Sequence, residues 1–164
     1  MRMLRTTRLD ASDERVFPRA AVADEWAVPG GFVFTLVDTD PAEISGAARQ
    51  AFARGFLGLS SFGRATLVTV AECQPADYDA AIAALAGHLR DCYGAPNDVE
   101  ARRVAAAEID YAVSLCEQPV NTLLSVQREL TNDGIEERFA VHDSRPLWQR
   151  DTRIFKAVPD DGAP

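Results

Sequence analysis

The chain is poor in lysine, histidine, cysteine and methionine, and it contains no long apolar run. Lys156 is the one lysine among 17 cationic residues, and 25 carboxylates leave a net charge of −8. That balance argues against nucleic-acid partners and acidic membrane surfaces, because affinity for polyanions comes from clustered Lys and Arg. Nothing approaches the roughly 18 consecutive apolar residues that cross a bilayer. The early arginines at positions 2, 5 and 8 have no apolar run of signal-peptide length behind them. Cys73, Cys92 and Cys116 are odd in number and form no CxxC pair, which fits buried, reduced thiols rather than a disulfide framework. A cytoplasmic protein without a membrane partner is expected, and the preference for arginine over lysine suggests a GC-rich bacterial source.

The common chemical signatures are missing too. There is no P-loop, GxGxxG, HExxH, GxSxG elbow, EF-hand loop or CxxC pair, so no cofactor is expected. The one strand-to-helix turn that could cradle phosphate carries Asp38, Asp40 and Glu43, which would repel it.

What is present is packing. At 164 residues and 47% apolar composition the chain fits one domain, residues 1–158, followed by a polar tail at 159–164 expected to be disordered. Its organising stretch is 46–71. Ile44, Ala48, Ala51, Phe52, Gly55 and Leu59 recur at helical spacing, and Gly55, Gly58 and Gly63 interrupt a bend kept apolar by Phe56, Leu57, Leu59 and Phe62. Residues 65–71 then read as a central strand covered on both faces.

Around it, residues 4–9 read as an edge strand, 26–28 as an extended start, and 32–37 as a strand with Phe32, Phe34 and Leu36 on one face. Asp40-Pro41-Ala42-Glu43 has the signature of a helix start. A second helix opens at Pro75, places Tyr78, Ile82, Leu85 and Leu89 on one face and closes at Gly94; a third runs from Asn97 to about Gln118. Residues 123–130 and 135–142 flank Thr131-Asn132-Asp133-Gly134, a hairpin signal that pairs Leu130 with Ile135, Val126 with Phe139 and Arg128 with Glu137. Residues 152–158 read as a last strand. The expected fold is α+β, a mainly antiparallel sheet of five or six strands covered by about three helices.

Candidate sites are few. His88 and Cys92, four apart on a helix, could face one metal ion, yet no further ligand can be nominated except distant Cys73, Cys116 or His142, and packing is the preferred reading. Ser60 and Ser61 sit in a glycine-rich turn that could expose a nucleophile; satisfaction of backbone groups is preferred. Arg128 and Glu137 on the apolar side of the hairpin suggest either a polar pocket or the exposed end of the sheet. Trp26, Trp148 and Phe62 could line a groove, though core packing is commoner.

Residues 49–63 (RQAFARGFLGLSSFG), with Leu4-Arg5-Thr6 and Glu25-Trp26-Ala27-Val28, resemble a family of small proteobacterial proteins of unknown function, over residues 3 to about 156. The resemblance implies no catalytic residues. From the residues alone, the leading expectation is a non-catalytic accessory or protein-binding module. Its binding surface would be Phe56, Leu57, Leu59, Phe62 and Arg64, and a protein partner or self-association through a sheet edge is expected. The alternatives are a small hydrolase or transferase assembled from Ser60, His88 or His142, and Arg128, and a metal-binding role for His88 and Cys92.

Overall fold

β-branched and glycine-flanked apolar segments pair into one eight-stranded sheet in the computed structural model, which describes residues 1–37, 40–142 and 155–157. The strands are β1 (Arg2–Thr7), β2 (Trp26–Val28), β3 (Phe56–Gly58), β4 (Arg64–Ala65), β5 (Leu67–Glu72), β6 (Leu123–Thr131), β7 (Gly134–His142) and β8 (Phe155–Ala157). Their order is β4-β3-β2-β1-β5-β6-β7-β8, and every neighbouring pair is antiparallel. Four α-helices join them: α1 (Ser12–Val16), α2 (Gly46–Arg54), α3 (Pro75–Tyr93) and α4 (Asp98–Ser114). The α+β class holds, with more elements than expected, because a five-residue helix and a two-residue strand are too short to leave a period in the sequence.

The hairpin β6–β7 has the expected register, from Leu130 opposite Ile135 through Arg128 opposite Glu137 to Leu124 opposite Val141. Helix α3 follows Pro75 at its first position and ends at Gly94, whose φ of 69° is the left-handed conformation that glycine adopts without penalty. The Asn97 side chain accepts a hydrogen bond from the Glu100 N–H and so starts α4. The two helices pack together, and α4 lies on β1 and β2. Between the layers a contiguous core runs from Met3 and Leu4 through Phe56, Val68 and Val70 to Leu85, Ile109, Leu124 and Phe139.

Three expectations are corrected. Strand β1 is central, between β2 and β5; its arginines misled because Arg5 lies over the Trp26 ring at 4.2 Å and Arg2 donates to the Gln118 carbonyl at 2.9 Å, so neither needs an edge. Gly31–Thr35 is a 3-10 helix rather than a strand, turned out of the sheet by Gly30 at φ 75°. Pro41–Glu43 is a separate 3-10 turn, and α2 begins only after Ser45. On α2, Ala51 and Phe52 are buried and Ala48 is exposed. Strand β5 is central as expected, but it buries only Val68 and Val70 fully and leaves Leu67, Thr69 and Ala71 half-buried. Trp148, the 159–164 tail and most of the expected strand at 152–158 lie outside the described residues.

Candidate functional site

Glycine makes the site possible by letting two backbone segments approach buried charge. A Cβ on Gly31 would overlap the Glu137 carboxylate and come within 2.6 Å of Arg128 Nε, so only glycine fits there. Beside it, α2 ends at Gly55 with carbonyls that no helical N–H can reach. Arg128, on the buried face of β6, fills that need. Its Nη1 donates to the carbonyls of Phe52 at 2.9 Å and Gly55 at 3.0 Å, its Nη2 to the Pro29 carbonyl, and its Nε to Glu137 Oε2 at 2.6 Å. The guanidinium caps the helix C-terminus, where a positive charge is also favoured by the helix dipole. Arg128 and Glu137 do not mark an exposed sheet end, since the arginine side chain is 0% and the glutamate side chain 15% exposed.

Helix α4 completes the charge balance. Tyr111 donates from its hydroxyl to Glu137 Oε1 at 2.9 Å, and burial, followed by the Glu137 charge, raises its pKa. Glu108 accepts the Gly30 N–H at 3.0 Å, and its pKa is pushed up to about 7, mainly by burial. Arg64, the first residue of β4, donates from Nη1 to the carbonyls of Gly55 at 3.1 Å and Gly30 at 3.2 Å. Both arginines therefore share the Gly55 carbonyl. Burial, then repulsion from Arg128, lowers the Arg64 pKa to about 9, which leaves it charged at neutral pH.

Around Arg64 lies an aromatic corner. The Phe34 ring sits 4.9 Å from its guanidinium carbon. Phe62 stacks on His88 with centroids 3.8 Å apart and planes 6° apart, and Tyr93 meets the same imidazole edge-on at 5.5 Å. Burial, then the charges of Arg64 and Arg19, lower the His88 pKa, partly opposed by Asp91.

The bend at residues 56–62 is turned inward. Phe56, Leu57 and Leu59 are 0%, 3% and 5% exposed, so these three side chains offer the core, and not a partner, their apolar surface. Phe56 packs near Phe139, while Phe62, half-buried and at φ 57°, and Arg64 remain at the corner. Ser60 and Ser61 meet a carboxylate rather than a histidine. Glu25 accepts their backbone N–H groups at 2.7 and 2.9 Å, the Ser61 hydroxyl at 2.6 Å and the Val22 N–H at 2.7 Å, a structural clasp closing the turn. At the β4 edge, the Arg64 N–H donates to the Arg19 carbonyl and its carbonyl accepts from Ala21, so a second chain finds those positions occupied.

The other candidates disperse. Cys92 is exposed rather than on the apolar face, and His88 turns toward Phe62. Among the described residues no group of three or more His, Cys, Asp or Glu could hold a metal ion. His142 pairs with Ser125, not Ser60: Ser125 Oγ and His142 Nε2 are 2.7 Å apart on the half-buried face opposite Arg128. Sequence reasoning missed Glu25, Glu108 and Tyr111. The signal for Glu108 was its place between Ala105 and Ala112 on the buried stripe of α4, a lone carboxylate at helical spacing.

Comparison with curated proteins and with solved structures finds no match. A family model does match, over residues 1–153, and the chain belongs to the family of unknown function DUF6505.

Proposed function

We propose that the protein is a non-catalytic accessory module that binds a ligand or partner at the corner formed by Phe62, Arg64 and His88. The observation that carries this reading is a contrast in occupancy. Arg128, Glu137 and Glu25 are fully engaged in holding loops together, whereas Nε and Nη2 of Arg64 donate to no acceptor among the described residues. Groups saturated by structural bonds are poorly placed to exchange protons with a substrate. The test compares native mass spectra of wild type and Phe62→Ala, each purified gently from the native organism. Wild type carrying a non-covalent ligand or partner that the variant loses, at an unchanged melting temperature, supports the reading; identical spectra overturn it.

One observation favours a second reading, a small hydrolase or transferase. The contact between Ser125 and His142 is a nucleophile–base distance. Against it, the serine lies in mid-strand rather than on an exposed turn, and no carboxylate among the described residues bonds the histidine. Covalent labelling by a fluorophosphonate that disappears in Ser125→Ala would establish it, and absence of labelling would remove it.

A further inference from the structure

Resting on the binding reading above, we infer that the corner at Arg64 is a site for the carboxylate of a small organic acid with a flat apolar body. Three features select this class.

The first is the shape of the free edge. Arg64 is 8% exposed, and the bonds to Gly30 and Gly55 both use Nη1. Nε and Nη2 form the side-on fork of the guanidinium, two parallel donors that match the two oxygens of a carboxylate. Among the described residues the buried side-chain donor without an acceptor is Arg5 Nε, so the fork of Arg64 is not sealed from solvent.

The second is charge. Arg64 and Arg128 are opposed by Glu137 and by Glu108, whose carboxyl is partly protonated at neutral pH. The cluster therefore has room for one further negative charge at most. A monoanion fits that balance, whereas a dianionic phosphate would bring an uncompensated charge into a protein of net −8.

The third is the apolar wall. The Phe34 ring lies over the Arg64 guanidinium, and Phe62 and Tyr93 pack on His88, an imidazole near enough to Arg64 to feel its charge. A planar apolar body can lie against these rings while its carboxylate meets Arg64 and offsets the arginine charge that holds the His88 pKa down. The charges facing the imidazole are Arg64, Arg19 and Asp91; those facing Glu108 are Glu137, Arg128 and Arg64. Binding weakens as pH rises through about 7, because Glu108 gains a negative charge there, while His88, its pKa lowered by burial and by Arg64, gives up its proton at lower pH.

The chain contains two histidines, so the test reads both by NMR on the full-length protein. Sodium benzoate is titrated at constant ionic strength, with acetate, inorganic phosphate and chloride in parallel. The expected result is a saturable benzoate shift that raises the His88 pKa and leaves His142 unmoved, with acetate weaker and phosphate and chloride unsaturable. Arg64→Lys, which keeps the charge and loses the fork, should weaken benzoate binding by about tenfold or more. Phe62→Ala leaves the buried arginine in place and should weaken it by about threefold to tenfold. Tighter saturation by phosphate, equal shifts at both histidines, or no saturable shift would overturn the inference. If benzoate fails while native mass spectrometry still shows a ligand dependent on Phe62, the carboxylate assignment alone falls; if that dependence is missing too, the binding site falls with it.

Discussion

Arg128 and Arg64 are both buried, both close to Gly55, and bonded to the same carbonyl, yet their surroundings treat them differently. Around Arg128 each guanidinium nitrogen has an acceptor: two loop segments, a helix end and a carboxylate converge on it. Around Arg64 the protein supplies acceptors on one nitrogen and aromatic rings elsewhere. A buried cation fully enclosed by acceptors tells of folding, since removing it orphans its partners. One with donors left over tells of something the chain alone does not complete.

The sharpest way to break the comparison is to remove each arginine in turn. Arg128→Met leaves the carbonyls of Pro29, Phe52 and Gly55 without this donor and Glu137 without its ion pair. A destabilisation of about 3–5 kcal/mol is expected, measured by urea unfolding, because breaking a buried pair strands the remaining charge. Arg64→Met, which takes this donor from the Gly30 carbonyl, leaves Gly55 still bonded to Arg128 and strands no directly bonded carboxylate, should cost less. Equal losses, or a larger one at position 64, would erase the distinction between strut and site.

The Glu25 clasp gives a smaller and independent control, on the turn next to the corner. Glu25→Gln keeps the size but replaces an acceptor oxygen with an NH2 group that faces N–H and O–H donors. A loss of about 2–3 kcal/mol is expected, from weaker bonds and a donor facing donors. The same substitution should widen the amide exchange of Ser60 and Ser61 relative to that of β5, which hydrogen exchange can read directly. If stability and exchange are both unchanged, the turn is held by its apolar residues and not by the carboxylate.

How much of this was legible depends on how local the cause is. The hairpin could be read because Thr131-Asn132-Asp133-Gly134 fixes a turn, and side-chain alternation on both strands then fixes the register. Helices α3 and α4 could be read because Pro75, Gly94 and Asn97 mark their ends. Membership of a family of unknown function, over most of the chain, was legible as a resemblance. The 3-10 helix at Gly31–Thr35 could not be read, because its cause is remote: Gly31 packs on Arg128 and Glu137, about a hundred positions away, and nothing in its apolar alternation records that. The inward turn of Phe56, Leu57 and Leu59 has the same origin, for β3 is paired between β2 and β4, Phe56 meets Phe139 of β7, and Ala20 bridges to Arg64. Arg64 left one trace, a lone arginine between Gly63 and Ala65 in an otherwise apolar run.

Glu108 offers the finest test, since both arginines attract its carboxylate and neither forms a direct hydrogen bond to it. Its folded pKa, near 7, lies above the ordinary 4.5, because burial disfavours the charged form more than Gly30, Arg128 and Arg64 favour it. Between about pH 4.5 and 7 the folded protein holds a proton that the unfolded chain has released, so this residue's contribution to stability falls as pH rises across that window and is constant beyond it. Glu108→Gln keeps an acceptor for the Gly30 N–H and has nothing to titrate. The two proteins should therefore differ least near pH 5, and the variant should become the more stable by about 1–2 kcal/mol at pH 8, after allowance for the partial solvent exposure of the side chain. Urea midpoints at pH 5, 6, 7 and 8 check this. A gap that stays flat from pH 5 to 8, with the wild type no less stable than the variant, would mean that the paired arginines hold Glu108 ionised, leaving no unmatched positive charge at Arg64 for an acidic ligand to meet.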